Sequence, residues 1–303
     1  MKILVTGASG YLGSIFVDLL KTIRRFSDID VFCAGHQYFD VCYPPQMEKV
    51  LDAKRPDVIF HFAASADTDQ CERDFVEAMQ VNAVGTYHLA SLAMTKGIDL
   101  VYFSSACLYP NNNAWYTEKS PIEARCRYTK TKLAAEMLLE PWKDRMLIIR
   151  MRQPFSYHIH RRNLLDKIVQ YEALIDEPNS LSCVEDCLPV VWNLYMKKMK
   201  GIYNVVNPGA MSPMSIVELI KKYPSRVDPI YSRPRYKRWI SFKELLSMVS
   251  AERVNSLVSI EKLKAAKPGL TLPPVRSSIL GALYQPCTIG TYNWYPHLHE
   301  SQL

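Results

Sequence analysis

Lys2-Ile3-Leu4-Val5-Thr6-Gly7-Ala8-Ser9-Gly10-Tyr11-Leu12-Gly13, followed by the amphipathic stretch from Ser14 to Arg25, decides the fold. A short apolar strand runs into a glycine loop and then a helix, the context that a dinucleotide fingerprint needs. Gly7 allows the tight turn, Gly10 lets the backbone approach a pyrophosphate, and Gly13 lets helix and strand pack closely. The helix N-terminus offers free N–H groups and the positive end of its dipole to the phosphates. Ser9, Tyr11 and Leu12 complete the loop and are expected at the cofactor with the three glycines.

Outward from this loop, strand and helix signals alternate. Asp57-Val58-Ile59-Phe60-His61-Phe62-Ala63-Ala64 is a continuous apolar strand, as a parallel sheet covered on both faces requires. Its small end, Ala63-Ala64, leaves room for a dinucleotide crossing the strand tip. A helical stretch from about Cys71 to Lys96 precedes another strand, Asp99 to Ser104, and strands near Met146–Met151 and Gly201–Val206 follow. The pattern predicts an α/β fold: a Rossmann doubly wound parallel sheet with a smaller C-terminal substrate-binding lobe. Residues 1–154, rejoined by 189–208, are expected to form the NAD(P)-binding domain, and 155–188 with 209–285 the lobe. The tail 286–303, with Trp294, His297 and His299, carries no functional reading.

A chain of 303 residues can bury a full core, and 48% hydrophobic with 22% charged residues is ordinary for an enzyme in water. The formal charge of +7 is spread along the chain, with clusters only at Lys197-Lys198-Met199-Lys200 and Arg233-Pro234-Arg235-Tyr236-Lys237-Arg238. That distribution speaks for solvated faces and an anionic small substrate, not for nucleic acid. Eight cysteines without a C-x-x-C pair, and no signal peptide, point to free thiols in a reducing cytoplasm. No apolar run approaches the roughly 20 residues that span a bilayer. No metal site is expected.

Tyr128 and Lys132 stand four apart in Arg127-Tyr128-Thr129-Lys130-Thr131-Lys132, which reads as the start of a helix. Positions i and i+4 share a face, so phenol and ammonium are expected side by side, the cation easing proton release from a phenol of ordinary pKa about 10. Such a tyrosine can protonate a carbonyl oxygen while hydride arrives at its carbon. Ser105 ends the strand Val101-Tyr102-Phe103-Ser104-Ser105, close to where a bound nicotinamide should lie, and Cys107 follows on the same loop.

The G-x-x-G-x-x-G spacing with Ser105, Tyr128 and Lys132 resembles the extended short-chain dehydrogenase/reductase family. The resemblance implies Ser105 as a hydrogen-bond donor to the substrate oxygen, Asp40-Val41 at the adenine, and Asn82 as a helix asparagine that ties helix to strand beside the cofactor. Lys132 would also hold the nicotinamide ribose. The end of the second strand, Val31 to Gln37, has no acidic residue to grip a ribose 2′-hydroxyl, which leans toward NADPH, with NADH as the alternative.

Ser104-Ser105-Ala106-Cys107-Leu108-Tyr109-Pro110 is similar to a loop of GDP-fucose synthases. The stretch from Arg150 through Arg162-Asn163, Lys167, Pro178-Asn179-Ser180 and Leu188-Pro189 to Asn207-Pro208-Gly209 is closer to the plant-type nucleotide-rhamnose synthase/epimerase-reductase family. That family joins 3,5-epimerisation and 4-ketoreduction of a nucleotide 4-keto-6-deoxyglucose in one pocket, and its epimerase pair matches Cys107 and Lys167. Asn163, and Arg253 with Asn255 near the family's diphosphate site, are implied substrate ligands, and a 4,6-dehydratase is the implied upstream partner. Residues 211–250 depart most from the family, which leaves the base open among UDP, dTDP and GDP. Oligomeric state is also open, a homodimer among the options. The competing readings are a 4-ketoreductase alone, like dTDP-4-dehydrorhamnose reductases, and a non-catalytic NADP-binding regulatory subunit.

Overall fold

Both faces of the first strand, β1 (Lys2–Thr6), are buried: Ile3 and Val5 join one apolar cluster and Leu4 the other. This is why the strand reads as continuously apolar and not as alternating. In the computed structural model, which describes residues 1–223 and 234–284, β1 lies between β2 (Asp30–Ala34) and β3 (Val58–His61). With β4 (Asp99–Ser105), β5 (Leu147–Met151) and β6 (Gly201–Asn204) the sheet runs β6-β5-β4-β3-β1-β2, every pairing parallel. The chain switches direction across the sheet at β1 and β3. Ligands of such sheets bind beyond the strand ends at that crevice.

Helix α1 (Tyr11–Ile23) covers one face, α2 (Pro44–Lys54), α3 (Thr86–Thr95) and α4 (Arg127–Leu139) the other. The single helix expected over 71–96 is instead four pieces: Thr68–Arg73, Phe75–Met79, a π-helical turn Gln80–Gly85, and α3. Asp67 starts the first piece and Asp74 separates it from the second, each accepting a hydrogen bond from the N–H three residues on, Gln70 at 2.9 Å and Glu77 at 3.1 Å. Gly85 lets the π turn pass the loop after β2. A Cβ there would meet the Val41 carbonyl oxygen at 2.8 Å.

A third apolar cluster gathers Phe155, Leu165, Ile168, Leu174, Ile216, Val217 and Ile279 away from the sheet. Helix α5 (Val184–Met196) begins against this cluster and runs unbroken through Leu188 and Pro189 to pack on the sheet beside α1. It is buried almost all round, as an element enclosed by both parts must be. The lobe adds α6 (Pro213–Lys222), capped by Ser212, and α7 (Val275–Tyr284). Arg233 and the tail with Trp294, His297 and His299 lie outside the described residues. Among the described residues no helix is long and apolar enough to cross a membrane.

Candidate active site

Gly7 adopts a left-handed backbone, φ 65°, and a Cβ there would stand 2.6 Å from the Ala63 nitrogen. A Cβ on Gly13 would stand 2.2 Å from the Gly7 carbonyl oxygen. The tips of β1 and β3 and the first turn of α1 therefore touch through backbone alone. Gly10 caps α1 in extended conformation with no side-chain cap, which leaves first-turn N–H groups to a ligand. Together these features fit the diphosphate of a dinucleotide.

Ser9 is exposed on the loop, and Leu12, Ala63 and Ala64 are half-buried around it. Tyr11 is buried and stacks on His160, centroids 4.7 Å apart. Asp40 accepts from the Cys42 N–H at 2.8 Å, and Val41 is buried beside Gly85. Asn82 is fully buried. It accepts from the Ser65 N–H (2.7 Å) and donates to the Ser65 carbonyl (2.8 Å) and Thr131 Oγ1 (2.9 Å), tying the π turn to the loop after β3 and to α4. Its amide is committed to the protein, a strut and not a direct cofactor contact.

Ser105 ends β4, where Ala106–Leu108 turns as a short 3-10 helix and the Cys107 N–H donates to Ser105 Oγ at 3.1 Å. Tyr128, near the start of α4, lies close enough for the Ser105 hydroxyl to favour its ionised form. Lys132, one turn on, directs its hydrogen bonds to β4 and not to the Tyr128 phenol. It is 3% exposed and donates to the Phe103 carbonyl at 3.0 Å, lying over the Tyr102 ring. Its charge falls on His61, whose pKa burial first and Lys132 second bring down to about 3. Burial brings Lys132 itself to about 8, opposed by Glu136. Burial pushes the Tyr128 phenol well up, with Cys107 adding to the rise and the Ser105 hydroxyl opposing it. The expected easing of proton release by lysine is therefore corrected: a shared helix face fixes where side chains begin, and a long lysine stem can carry its charge elsewhere.

Glu136, a further turn along α4, accepts from Ser104 at 2.5 Å and from Arg150 Nε at 3.0 Å, and pairs with Arg150 Nη2. Arg150 also donates to Tyr109, which donates to Asn204. Behind the reacting hydroxyls the sheet thus holds a buried, mutually satisfied ion pair.

Cys107 is half-buried, and Arg152 Nη1 donates to its sulfur at 2.8 Å. This arginine was given no role by the sequence reading, although two arginines ending an otherwise apolar strand were a signal, because buried cations need partners. Lys167 touches solvent, yet desolvation and then Arg253 pull its pKa down, opposed by Asp67. Arg253 donates to Thr68 Oγ1 at 2.7 Å and pairs with Asp69 at 3.2 Å.

Two implied substrate ligands are corrected. Asn163 is fully buried and caps the short helix Leu164–Ile168, its amide donating to the Ser156 and His158 carbonyls. Asn255, 5% exposed, accepts from Asn179 at 2.7 Å and donates to Glu177 at 2.9 Å. Both amides are used up inside the fold.

A model of the family described as "RmlD substrate binding domain" matches residues 1–234. A bifunctional dTDP-4-dehydrorhamnose 3,5-epimerase/dTDP-4-dehydrorhamnose reductase of Arabidopsis thaliana is 27% identical over 250 residues, covering 78% of this chain and 79% of the relative. A trifunctional UDP-glucose 4,6-dehydratase/UDP-4-keto-6-deoxy-D-glucose 3,5-epimerase/UDP-4-keto-L-rhamnose-reductase of the same plant is 26% identical over 250 residues, and there the match covers 78% of this chain but only 36% of the relative. The crystal structure of the L780 UDP-rhamnose synthase from Acanthamoeba polyphaga mimivirus superposes with a TM-score of 0.82 at 22% identity, over 94% of this chain and 99% of that one.

Proposed function

The chain belongs to the RmlD substrate binding domain family, and from that premise we propose that it is an NADPH-dependent reductase of a nucleotide-linked 4-keto-6-deoxysugar in the formation of activated L-rhamnose. The observation that carries this reading is Ser105 at the end of β4 standing within electrostatic reach of Tyr128, beside the glycine cradle of β1 and α1. Solved relatives hold NADP or NADPH, and the end of β2 lacks the carboxylate of a typical NAD site.

When bound, the reduced nicotinamide supplies hydride to the C4 carbon. Ser105 and Tyr128 hold the C4 oxygen between two hydroxyls, and Tyr128 passes it a proton as negative charge builds there. A phenol raised by burial stays protonated through neutral pH, the form a proton donor needs. Lys132 is the candidate ligand of the nicotinamide ribose. General-acid help of this kind is worth about 10²–10⁴ in rate.

The finer proposal adds 3,5-epimerisation before reduction. A carbon beside the ketone loses its proton to a base on one face and regains one from an acid on the other, while Ser105 and Tyr128 hold the enolate oxygen. Cys107 and Lys167 are the candidate pair, and Arg253 with Arg162, both sensed by Lys167, offers positive charge to a nucleoside diphosphate. The base, UDP or dTDP, is left open. A 4,6-dehydratase reaction on a nucleotide-glucose must supply the substrate.

The test is NADPH consumption with UDP- or dTDP-4-keto-6-deoxyglucose, with and without a separate epimerase, in deuterated water. Turnover alone, with deuterium at C3 and C5 lost in Cys107→Ser, supports the joined activities. Turnover only with added epimerase supports the reductase, and none in either case overturns both.

A further inference from the structure

Arg152 is a buried cation that the mechanism above leaves unused. It is 1% exposed and follows directly on β5. Its Nε donates to Asn179 Oδ1 at 2.9 Å, one terminal nitrogen to the Val254 carbonyl, and the other to Cys107 Sγ at 2.8 Å. Arg150, two residues earlier, has Glu136 as its buried counter-ion. Among the described residues Arg152 has no carboxylate in ion-pair range, and Cys107 is the one ionisable group on its guanidinium.

A buried charge without a counter-ion is costly, and the cost falls when the site supplies an anion. The guanidinium cannot swing away to find one. Asn179 holds it and is itself held by Asn255, which is anchored on Glu177. An arginine only donates hydrogen bonds, so the sulfur accepts, and its own hydrogen points elsewhere.

We propose that Arg152 is a positioning residue that fixes the Cys107 sulfur in the pocket and balances the negative charge left there when the thiol gives up its proton. When the S–H bond breaks, the electron pair stays on sulfur facing Nη1, and the proton passes to solvent or, in the epimerisation proposed above, to the deprotonated sugar carbon. The inference deepens that reading, but the chemistry at sulfur can be measured without any sugar.

The experiment follows alkylation of Cys107 by iodoacetamide in the substrate-free protein at about pH 7.5, read on the Cys107 peptide by mass spectrometry; the thiolate attacks carbon and iodide leaves. Arg152→Gln, which keeps polar contact without charge, is expected to slow this reaction about tenfold or more, and Arg152→Lys to recover part of the loss. A purely structural role would not sort Gln from Lys by charge. Equal rates in all three proteins overturn the proposal. If Arg152→Gln does not fold, the 240 nm difference spectrum between the unaltered protein and Cys107→Ala decides. Thiolate absorbance at about pH 7.5 supports the proposal, and its absence until above about pH 8.5, the ordinary thiol range, overturns it. Slowed alkylation without deuterium exchange into the sugar would leave this inference standing and remove only the epimerase.

Discussion

On the cofactor side of the crevice, one stretch from Gly7 to Gly13 and the tip of β3 make the whole cradle, and what they present is backbone. On the proposed substrate side, the groups that hold Arg152 on Cys107 come from distant parts of the chain, the Asn179 side chain and the carbonyl of Val254, which lies 102 residues beyond Arg152, and what meets the sulfur is a side chain. The first surface is specified by the absence of Cβ atoms at fixed spacing. The second exists only after the lobe has closed on the sheet. The two halves should therefore fail separately.

The largest expected effect breaks the cofactor half alone. Gly13→Val places a branched side chain where a single Cβ already meets the Gly7 carbonyl oxygen at 2.2 Å. NADPH affinity should fall about 100-fold or more, by fluorescence titration, because helix and strand can no longer close on the pyrophosphate. Affinity within about twofold of the unaltered protein would show that the cradle is not where the dinucleotide binds. The charge series at Arg152 is the counterpart on the other half, with a smaller expected change and no effect on NADPH affinity.

This contrast also explains what could be read from the sequence. The glycine loop is local, so spacing alone placed its turn, its close approach and its open helix end, and the alternation of apolar runs gave the parallel sheet. Asn163 and Asn255 could not be read this way, because an asparagine that caps a helix or braces a loop looks the same in sequence as one that grips a ligand. Lys132 shows a subtler limit. Its helix face was legible, but its charge went to the Phe103 carbonyl and toward His61, since burial rewards the nearest acceptor. The break at Asp74 was legible in principle as a cap, but the apolar pattern running through it was stronger.

The smallest expected effect concerns that lysine. Its folded pKa of about 8 lies below the ordinary 10.5, so between those values the unfolded chain binds more protons than the folded one. Stability of the cofactor-free protein should then rise as pH increases from about 8 toward 10.5, the full cost of burying the ammonium being present below 8. Urea unfolding across that window should show the rise, and Lys132→Met should flatten it. An equal slope in both proteins would mean that the ammonium is not held in the buried position at the end of β4.

The central claim is that Tyr128, beside Ser105, delivers the proton to a sugar carbonyl. It is tested most directly by following NADPH oxidation with pre-epimerised nucleotide 4-keto-rhamnose in the unaltered protein and in Tyr128→Phe, with NADPH affinity measured alongside. The account predicts a fall in kcat of about 10²–10⁴ with affinity nearly intact. Turnover in Tyr128→Phe at a comparable rate would contradict it.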